Sequence, residues 1–502
     1  MQKPGSADAA RSTALARLRG ATEPWDVLVV GGGATGLATA LDAAARGLRT
    51  LLLEAGDFAS GTSGASTKLV HGGVRYLAQG RVGLVREALH ERGRLLANAG
   101  ALVRPLPLLI PVRSAAERLF YGAGLKAYDW LAGDGGMPRS RGLNARDARL
   151  AVPNGANTRG GLLFHDGQFD DAALALALAR TATARGALLL NHVSVTGLLH
   201  EPLSGARCVA GVRARDAETG EAFEARARCV INATGVWVDA LRGHDQAGAE
   251  PLVAPSQGAH VVVAGHFLGG HTGLLVPRTA DGRVLFALPW HGHTLMGTTD
   301  VPVHALPAPG TAPVPLAQEV DFILRTAAPW LAHPPGRADV LSAWAGLRPL
   351  VGGGAAHTAR LSREHAIVVS DAGLVSVTGG KWTTCRVMAQ QVLDAAAARG
   401  LVARRPCATA DLKLERSPDA APDRAPEDPT PEQVARFVHY DQALTVEDVL
   451  SRRTRWLLLD ARHALSLAPG VAQAMAQARG KSPQWVAAQC AAFEQVARAC
   501  MV

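Results

Sequence analysis

The stretch Asp26-Val27-Leu28-Val29-Val30-Gly31-Gly32-Gly33-Ala34-Thr35-Gly36 decides the fold. A short apolar run that ends in glycine reads as a buried parallel strand. The Ala-rich segment from Leu37 to Arg46 predicts a helix packed closely on that strand and stopped at Gly47. Thr50 to Leu53 then reads as a second strand ending at Glu54. The whole makes one βαβ unit of about thirty residues.

Inside that unit, Gly31-x-Gly33-x-x-Gly36 has the spacing of a dinucleotide fingerprint. Gly31 permits the turn, Gly33 lets backbone approach a pyrophosphate, and Gly36 lets the helix sit close to the strand. Ala34 and Thr35 open the helix, where free amides hold an anion. Glu54 is placed for the ribose hydroxyls, and an acid there disfavours a 2′-phosphate, leaving FAD or NAD. Two later strands also run into glycine: Val230 to Gly235, with Thr234 and Gly235 at its end, and Val377-Thr378-Gly379-Gly380. Three such elements with one fingerprint favour a single extended cofactor, which suits FAD better than NAD.

Working outward, Val82 to Asn98 reads as a helix, Gly100 to Asn154 as irregular, and Asp170 to Arg185 as a helix followed by a strand at Ala187 to Leu190. Arg207 to Asp300 is β-rich, with a hairpin whose strands Val284–Trp290 and His293–Thr298 flank His291-Gly292. That hairpin accounts for His291, His293 and His304 better than a metal site does, and no metal is expected. Val314 to Leu331 and Thr383 to Arg399 read as helices, Leu412 to Pro431 as a linker, and Gln433 to Val502 as helical throughout.

Glycine supplies 54 of 502 residues, above the roughly 7% of an average protein. No triplet period accompanies it, which excludes collagen. The net charge of +9 is scattered and comes with no nucleic-acid-binding motif, so no nucleic-acid partner is expected. It remains compatible with anionic substrates, phosphate-bearing cofactors and an anionic membrane surface. Cys208, Cys229, Cys385, Cys407, Cys490 and Cys500 form no C-x-x-C pair and read as reduced thiols. Met1 to Gly20 lacks the apolar core of a secretory signal, and no window is long and apolar enough to span a bilayer. The expectation is a cytoplasmic protein whose membrane contact, if made, is peripheral on the inner face of the cytoplasmic membrane.

Thr62-Ser63-Gly64-Ala65-Ser66-Thr67-Lys68-Leu69-Val70-His71-Gly72-Gly73-Val74-Arg75-Tyr76-Leu77, following the fingerprint, resembles the FAD-dependent glycerol-3-phosphate dehydrogenases of the aerobic, quinone-linked type. Further matching strings are Ser256-Gln257-Gly258-Ala259-His260, Met296-Gly297-Thr298-Thr299-Asp300, Trp344 to Leu350 and Gly379-Gly380-Lys381-Trp382-Thr383-Thr384. They keep the family's order from about residue 25 to 390, and Thr445 to Arg455 resembles its helical C-terminal segment. One departure stands out. The family usually carries a larger insertion where this chain has only Leu412 to Pro431, which puts oligomerisation and membrane docking in question.

The resemblance implies an α/β fold: a Rossmann-like FAD-binding domain with an inserted β-rich substrate domain and a helical C-terminal region. The FAD-binding segments fall at 22–93, 160–238 and 363–402, the substrate segments at 94–159 and 239–362, a linker at 403–432 and the helical domain at 433–502. The implied cofactor residues are Gly31, Gly33, Ala34, Thr35, Gly36, Glu54, Thr62, Ser63, Ser66, Thr67, Lys68, Gly72, Gly73, Thr234, Gly235, Gly379, Gly380, Lys381, Trp382 and Thr383. Val195 joins them at a position where related flavoproteins contact adenine through backbone, a place a core valine would also fill.

The implied reaction is oxidation of sn-glycerol 3-phosphate to dihydroxyacetone phosphate, with electrons passed to a quinone. Arginine offers bidentate donors to a phosphate dianion and lysine a compact charge. The resemblance puts Arg75, Tyr76, Arg348, Arg363 and Lys381 around substrate and flavin. Arg363, next to Glu364, serves a local ion pair equally well. His260 and His71 are the candidate bases, since imidazole accepts protons near neutral pH; a flavin-loop contact is the alternative for His71. Arg452, Arg453 and Arg455 read as an internal ion-pair network rather than a membrane contact. An oxygen-using glycerol-3-phosphate oxidase and a non-catalytic flavin-binding partner protein are the rival readings, and a homodimer is an allowed assembly.

Overall fold

The computed structural model describes residues 7–133, 135–155, 159–203, 206–277, 279, 282–352, 365–415 and 426–502. Two sheets carry the architecture. The first runs in the order His365–Val369, Val375–Gly379, Ala222–Asn232, Trp25–Val30, Thr50–Leu53, Leu188–Leu190. All its neighbours pair in parallel except the first two, and the hairpin Val193–Leu203 with Ala206–Asp216 extends it from Ala222–Asn232. The fingerprint strand is central, with Val30 opposite Asn232 on one side and Leu53 on the other. Its side chains are apolar on both faces because both faces are covered. Helices Ala34–Ala45, Asp171–Ala184 and Cys385–Ala398 cover one face, where Leu37, Ala175 and Val392 join Val27, Val29 and Ile231. The hairpin and the helix Ala7–Arg19 cover the other, through Leu198, Val212, Leu15 and Leu18.

The second sheet has ten strands, ordered Val301–Pro302, Val253–Ala264, His293–Gly297, Leu285–Trp290, Gly273–Val276, Val103–Pro111, Gly161–Phe169, Leu69–Val70, with Val340–Val351 also paired to Val253–Ala264 and Arg141–Leu143 to Gly161–Phe169. The helices Pro431–Tyr440, Ala461–Arg479 and Pro483–Ala499 pack together and onto Val262, Trp290, Leu295 and Trp344 of this sheet. Their starts are set locally: Thr430, Asp460 and Ser482 each accept a bond from the backbone N–H three residues on.

The structure departs from the sequence reading in several places. Gly100 to Asn154 is not irregular: it holds the strand Val103–Pro111, the helix Ala115–Ala132, the short strand Arg141–Leu143 and the helix Ala145–Ala151. Pro105, Pro107 and Pro111 share one parity along that strand, so their missing N–H groups face one side. On that side the parallel neighbour pairs only at Leu108 and Leu109. Gly161–Phe169, assigned by sequence to a cofactor segment, belongs to the second sheet, as does Leu69–Val70. The chain crosses between sheets at Asp170, the N-cap of the next helix. Leu412 and Leu414, in the segment read as linker, pack on the core of the first sheet.

Candidate active site

A cavity of about 490 Å³ opens at the C-terminal ends of the parallel strands and is lined from both sheets. At its floor Gly31 has φ +109°, and a Cβ there would lie 2.6 Å from Ala233 O. A Cβ on Gly36 would lie 1.9 Å from Gly31 O, so the turn admits no side chain at either position. The helix Ala34–Ala45 begins here without a side-chain cap, and Ala34 N donates to Ser63 Oγ at 2.8 Å. Glu54 accepts from Gly32 N at 2.5 Å and Gly56 N at 2.8 Å. Burial raises its carboxyl above the usual range, and those two amides oppose the shift. Thr234 with Gly235, and Gly379 with Gly380, reach the cavity from two further strand ends. A helix terminus, glycine-lined turns and a buried acid at the second strand end fit FAD laid across the strand ends.

The 3₁₀ turn Thr62–Ala65 forms part of the wall. Thr62 Oγ1 donates to Leu347 O at 2.5 Å, and Trp382 Nε1 donates to Ser63 O at 2.9 Å. Asp171 anchors the next residue, accepting from Ser66 N at 3.1 Å and Ser66 Oγ at 2.7 Å. Of the cofactor residues expected from sequence, Gly31, Gly33, Ala34, Thr35, Glu54, Thr62, Ser63, Ser66, Thr67, Gly73, Val195, Thr234, Gly235, Gly379, Gly380, Lys381, Trp382 and Thr383 line the cavity. Gly36, Lys68 and Gly72 do not. Gly36 lies beneath the turn. Lys68 is fully buried, donating to Asp171 Oδ2 and Gly64 O, both at 2.7 Å. Gly72 N donates to Tyr128 Oη at 2.8 Å.

His71, Tyr76, His260, Arg348 and Lys381 line the same cavity. The side chain of Arg75 and all of Arg363 lie outside the described residues. His260 sits on Val253–Ala264 opposite Gly297 and Trp344. Its ring stacks on Trp344 at 4.3 Å between centroids and 22°, and Nε2 lies 2.9 Å from Thr67 Oγ1. Burial, then the charges of Arg348 and Lys68, push its pKa well below the usual range, so the imidazole is neutral at pH 7. Arg348 donates from Nη2 to Thr298 Oγ1 at 2.8 Å, and a Cβ on Gly258 would fall 2.1 Å from that nitrogen. Gly258 is therefore the room the guanidinium occupies. Lys381 Nζ stands 4.2 Å from the centroid of the Tyr76 ring. The backbone of His71 is fixed by Thr383, whose Oγ1 accepts from His71 N at 3.2 Å and donates to His71 O at 3.3 Å.

Sequence reasoning missed Arg283. It lines the cavity, with Nη2 at 3.1 Å from Asp300 Oδ2, while Arg348 Nη1 lies 3.7 Å from Asp300 Oδ1. Ser256 Oγ also bonds that carboxylate. Asp300 and Thr298 lie in a quoted string, but no pattern around Arg283 distinguishes it from a turn residue. Arg283, Arg348 and Lys381 face Asp300, while the neighbouring lining carboxylate Asp166 is already paired with Arg92, which leaves this end of the cavity positive and suited to a small dianion.

Other clusters serve the fold. Arg452 pairs with Asp57, Glu447 and Asp448, Arg453 with Asp57, and Arg455 with Asp170 and Asp171. All three guanidiniums are buried, so none reaches a membrane. Asp57, His192 and Asp448 have metal-like proximity, but Arg452 and Arg453 already balance the two carboxylates. Burial pushes the Cys385 thiol up to about 12, which makes it inert as a nucleophile. Among the described residues no helix is long and apolar enough to cross a membrane.

Known proteins agree with this picture. The family model for FAD dependent oxidoreductases matches residues 26–413, and that for the C-terminal domain of alpha-glycerophosphate oxidase matches 374–486. The chain is 41% identical over 415 residues to the mitochondrial glycerol-3-phosphate dehydrogenase of Mus musculus, covering 80% of this chain and 56% of the relative. It is 40% identical over 436 residues to the mitochondrial enzyme of Saccharomyces cerevisiae, covering 78% of this chain and 66% of the relative. The chain thus spans between about half and two thirds of these curated relatives. The structure of the glycerol-3-phosphate dehydrogenase from Bacillus halodurans complexed with FAD superposes with a TM-score of 0.78 at 27% identity, over 99% of this chain and 98% of that one. Cofactor cradle, fold and sequence converge, and the chain belongs to the FAD dependent oxidoreductase family.

Proposed function

We propose that the chain oxidises sn-glycerol 3-phosphate to dihydroxyacetone phosphate and passes the electrons to a quinone. The observation that carries this reading is one cavity holding a glycine-lined dinucleotide cradle, three cations and a neutral buried histidine. Bound FAD supplies the hydride acceptor. Arg348 and Lys381 bind the phosphate, with Arg283 adding charge behind Asp300. His260 takes the hydroxyl proton at Nε2, the nitrogen now 2.9 Å from Thr67 Oγ1. The nearby Arg348 and Lys68 charges oppose an imidazolium, and an arriving dianion offsets them. Proton transfer is thereby favoured only when substrate is bound. Glycerol, lacking the phosphate, forgoes the charge-assisted contacts to Arg348 and Lys381 and is a poor substrate.

A quinone resides in the bilayer, so the acceptor implies a peripheral membrane contact from the cytoplasmic side. The helix Ala115–Ala132 supports this: Leu119 is 76% exposed, Phe120 65% and Trp130 80%. The same helix buries Leu125 and Tyr128 in a cluster that includes the cavity residues Tyr76 and Phe286, so the helix packs beside the substrate end. The C-terminal match carries an oxidase's name, which makes oxygen the competing acceptor. Purified holoprotein given glycerol 3-phosphate and a water-soluble quinone analogue should form dihydroxyacetone phosphate faster than with oxygen alone. Equal or faster turnover with oxygen selects the oxidase reading, and no product with either acceptor overturns both.

A further inference from the structure

We infer that Lys68 is a positioning residue for His260: its ammonium, buried between two indoles, fixes Trp344 against the imidazole and sets a positive field behind it. The inference rests on His260 being the base in the proposed reaction. Lys68 was expected among the cofactor contacts, yet its side chain is fully buried and stands outside the cavity. Its Nζ lies 4.8 Å from the ring centroid of Trp344 and 5.3 Å from that of Trp290. Trp344 in turn stacks on His260 at 4.3 Å. The preceding residue, Thr67, bonds the imidazole at Nε2. Residues 67 and 68 therefore hold the ring twice, by its edge through a hydroxyl and by its face through an indole.

A packing role alone does not explain the charge. Burying an ammonium carries a desolvation penalty that an apolar side chain of similar length would not. The charged groups around Lys68 are Asp171, Arg455 and Asp170. Asp171 is shared, since it also bonds Ser66 and pairs with Arg455. Arg455 also pairs with Asp170, and of these groups the Lys68 ammonium is the one seated over the Trp344 ring. The charged groups acting on His260 are Arg348 and Lys68. Burial lowers the Lys68 pKa to about 8, with Asp171 opposing the shift, so the ammonium persists at pH 7 and is lost just above.

The test uses FAD-loaded enzyme with nitrogen-15 histidine, the His260 resonance being assigned by its loss in His260→Asn. With Nζ 4.8 Å from the Trp344 ring and that ring 4.3 Å from the imidazole, the ammonium is at most about 9 Å away, where at an effective dielectric near 20 one charge displaces a titration by about one pH unit. Removing a positive charge stabilises the imidazolium, so Lys68→Met should move the His260 titration, and the acid limb of anaerobic flavin reduction, upward by about one pH unit. Lys68→Arg should restore the wild-type position. If Lys68→Met fails to hold flavin, the wild type carries the test itself, because a second inflection of the His260 resonance near pH 8 is expected. An unmoved His260 titration in Lys68→Met, or no inflection in the wild type, overturns the inference whatever the activity. A shifted resonance with an unchanged rate profile upholds the Lys68 field and instead removes His260 from the role of base.

Discussion

Arg348→Met is the most informative single change in the cavity. The side chain touches Thr298 Oγ1 at 2.8 Å, Gln257 O at 3.4 Å and Asp300 at 3.7 Å, and it lies flat over Gly258. Methionine keeps the apolar stem and removes the charge and the donors. Asp300 is not orphaned, because Arg283 remains at 3.1 Å and Ser256 still bonds it. The cost to folding is therefore about 1–2 kcal/mol, the range of a hydrogen bond from a charged donor lost at a partly exposed site. The cost to catalysis is larger. Each charge-assisted contact to the phosphate is worth about 1.5–3 kcal/mol, and a guanidinium makes up to two. A loss of about 2–4 kcal/mol in kcat/KM follows, or roughly 30- to 1000-fold. Anaerobic stopped-flow reduction of the flavin by glycerol 3-phosphate reads it directly, with the ratio of flavin to protein absorbance as the control for cofactor content. A variant with full flavin and a rate within threefold of wild type would remove Arg348 from substrate binding.

Three further outcomes are expected. Gly36→Ala places a methyl 1.9 Å from Gly31 O, so the purified protein should lack the flavin absorbance while retaining helical circular dichroism. For Asp170, burial raises the carboxyl pKa but Arg455 and His291 outweigh it and hold it below the usual range. Its contribution is present above about pH 4, the unfolded value, and is lost as pH falls through the folded pKa; wild type should lose thermal stability on acidification from pH 5 more steeply than Asp170→Asn, which should start about 1–3 kcal/mol less stable. Replacing Leu119, Phe120 and Trp130 together by glutamine should abolish sedimentation with anionic vesicles and leave turnover with a soluble acceptor unchanged, whereas wild type that fails to pellet even at low salt refutes the membrane contact.

Much of the cofactor half was legible because its signals are local. The run Val27 to Val30, the glycines at 31, 33 and 36 and the acid at 54 lie within thirty residues, and each answers to a backbone requirement found again in the structure. The hairpin around His291 was placed to within one residue at either outer end, since alternation and a tight turn are equally local. The misses depend on distant partners. Val103–Pro111 looked irregular because its prolines argue against a central strand, and only the neighbouring pairings show that their side of the strand is largely open. Lys68 sat in the most selective string of the chain, yet its work lies behind the cavity, set by Asp171 and Trp344 more than one hundred positions away. Arg283 carried no signal because its meaning comes from Asp300, reached across the sheet.

The central claim is that this cavity couples FAD to a phosphate-bearing alcohol. Glycerol 3-phosphate and glycerol, each added at the same concentration to anaerobic holoprotein, test it in one measurement. The account predicts that the flavin band near 450 nm bleaches with glycerol 3-phosphate and persists with glycerol over the same interval. Equal bleaching by both would show that Arg348 and Lys381 do not select a phosphate. No bleaching by either would contradict the assignment of this cavity to that oxidation.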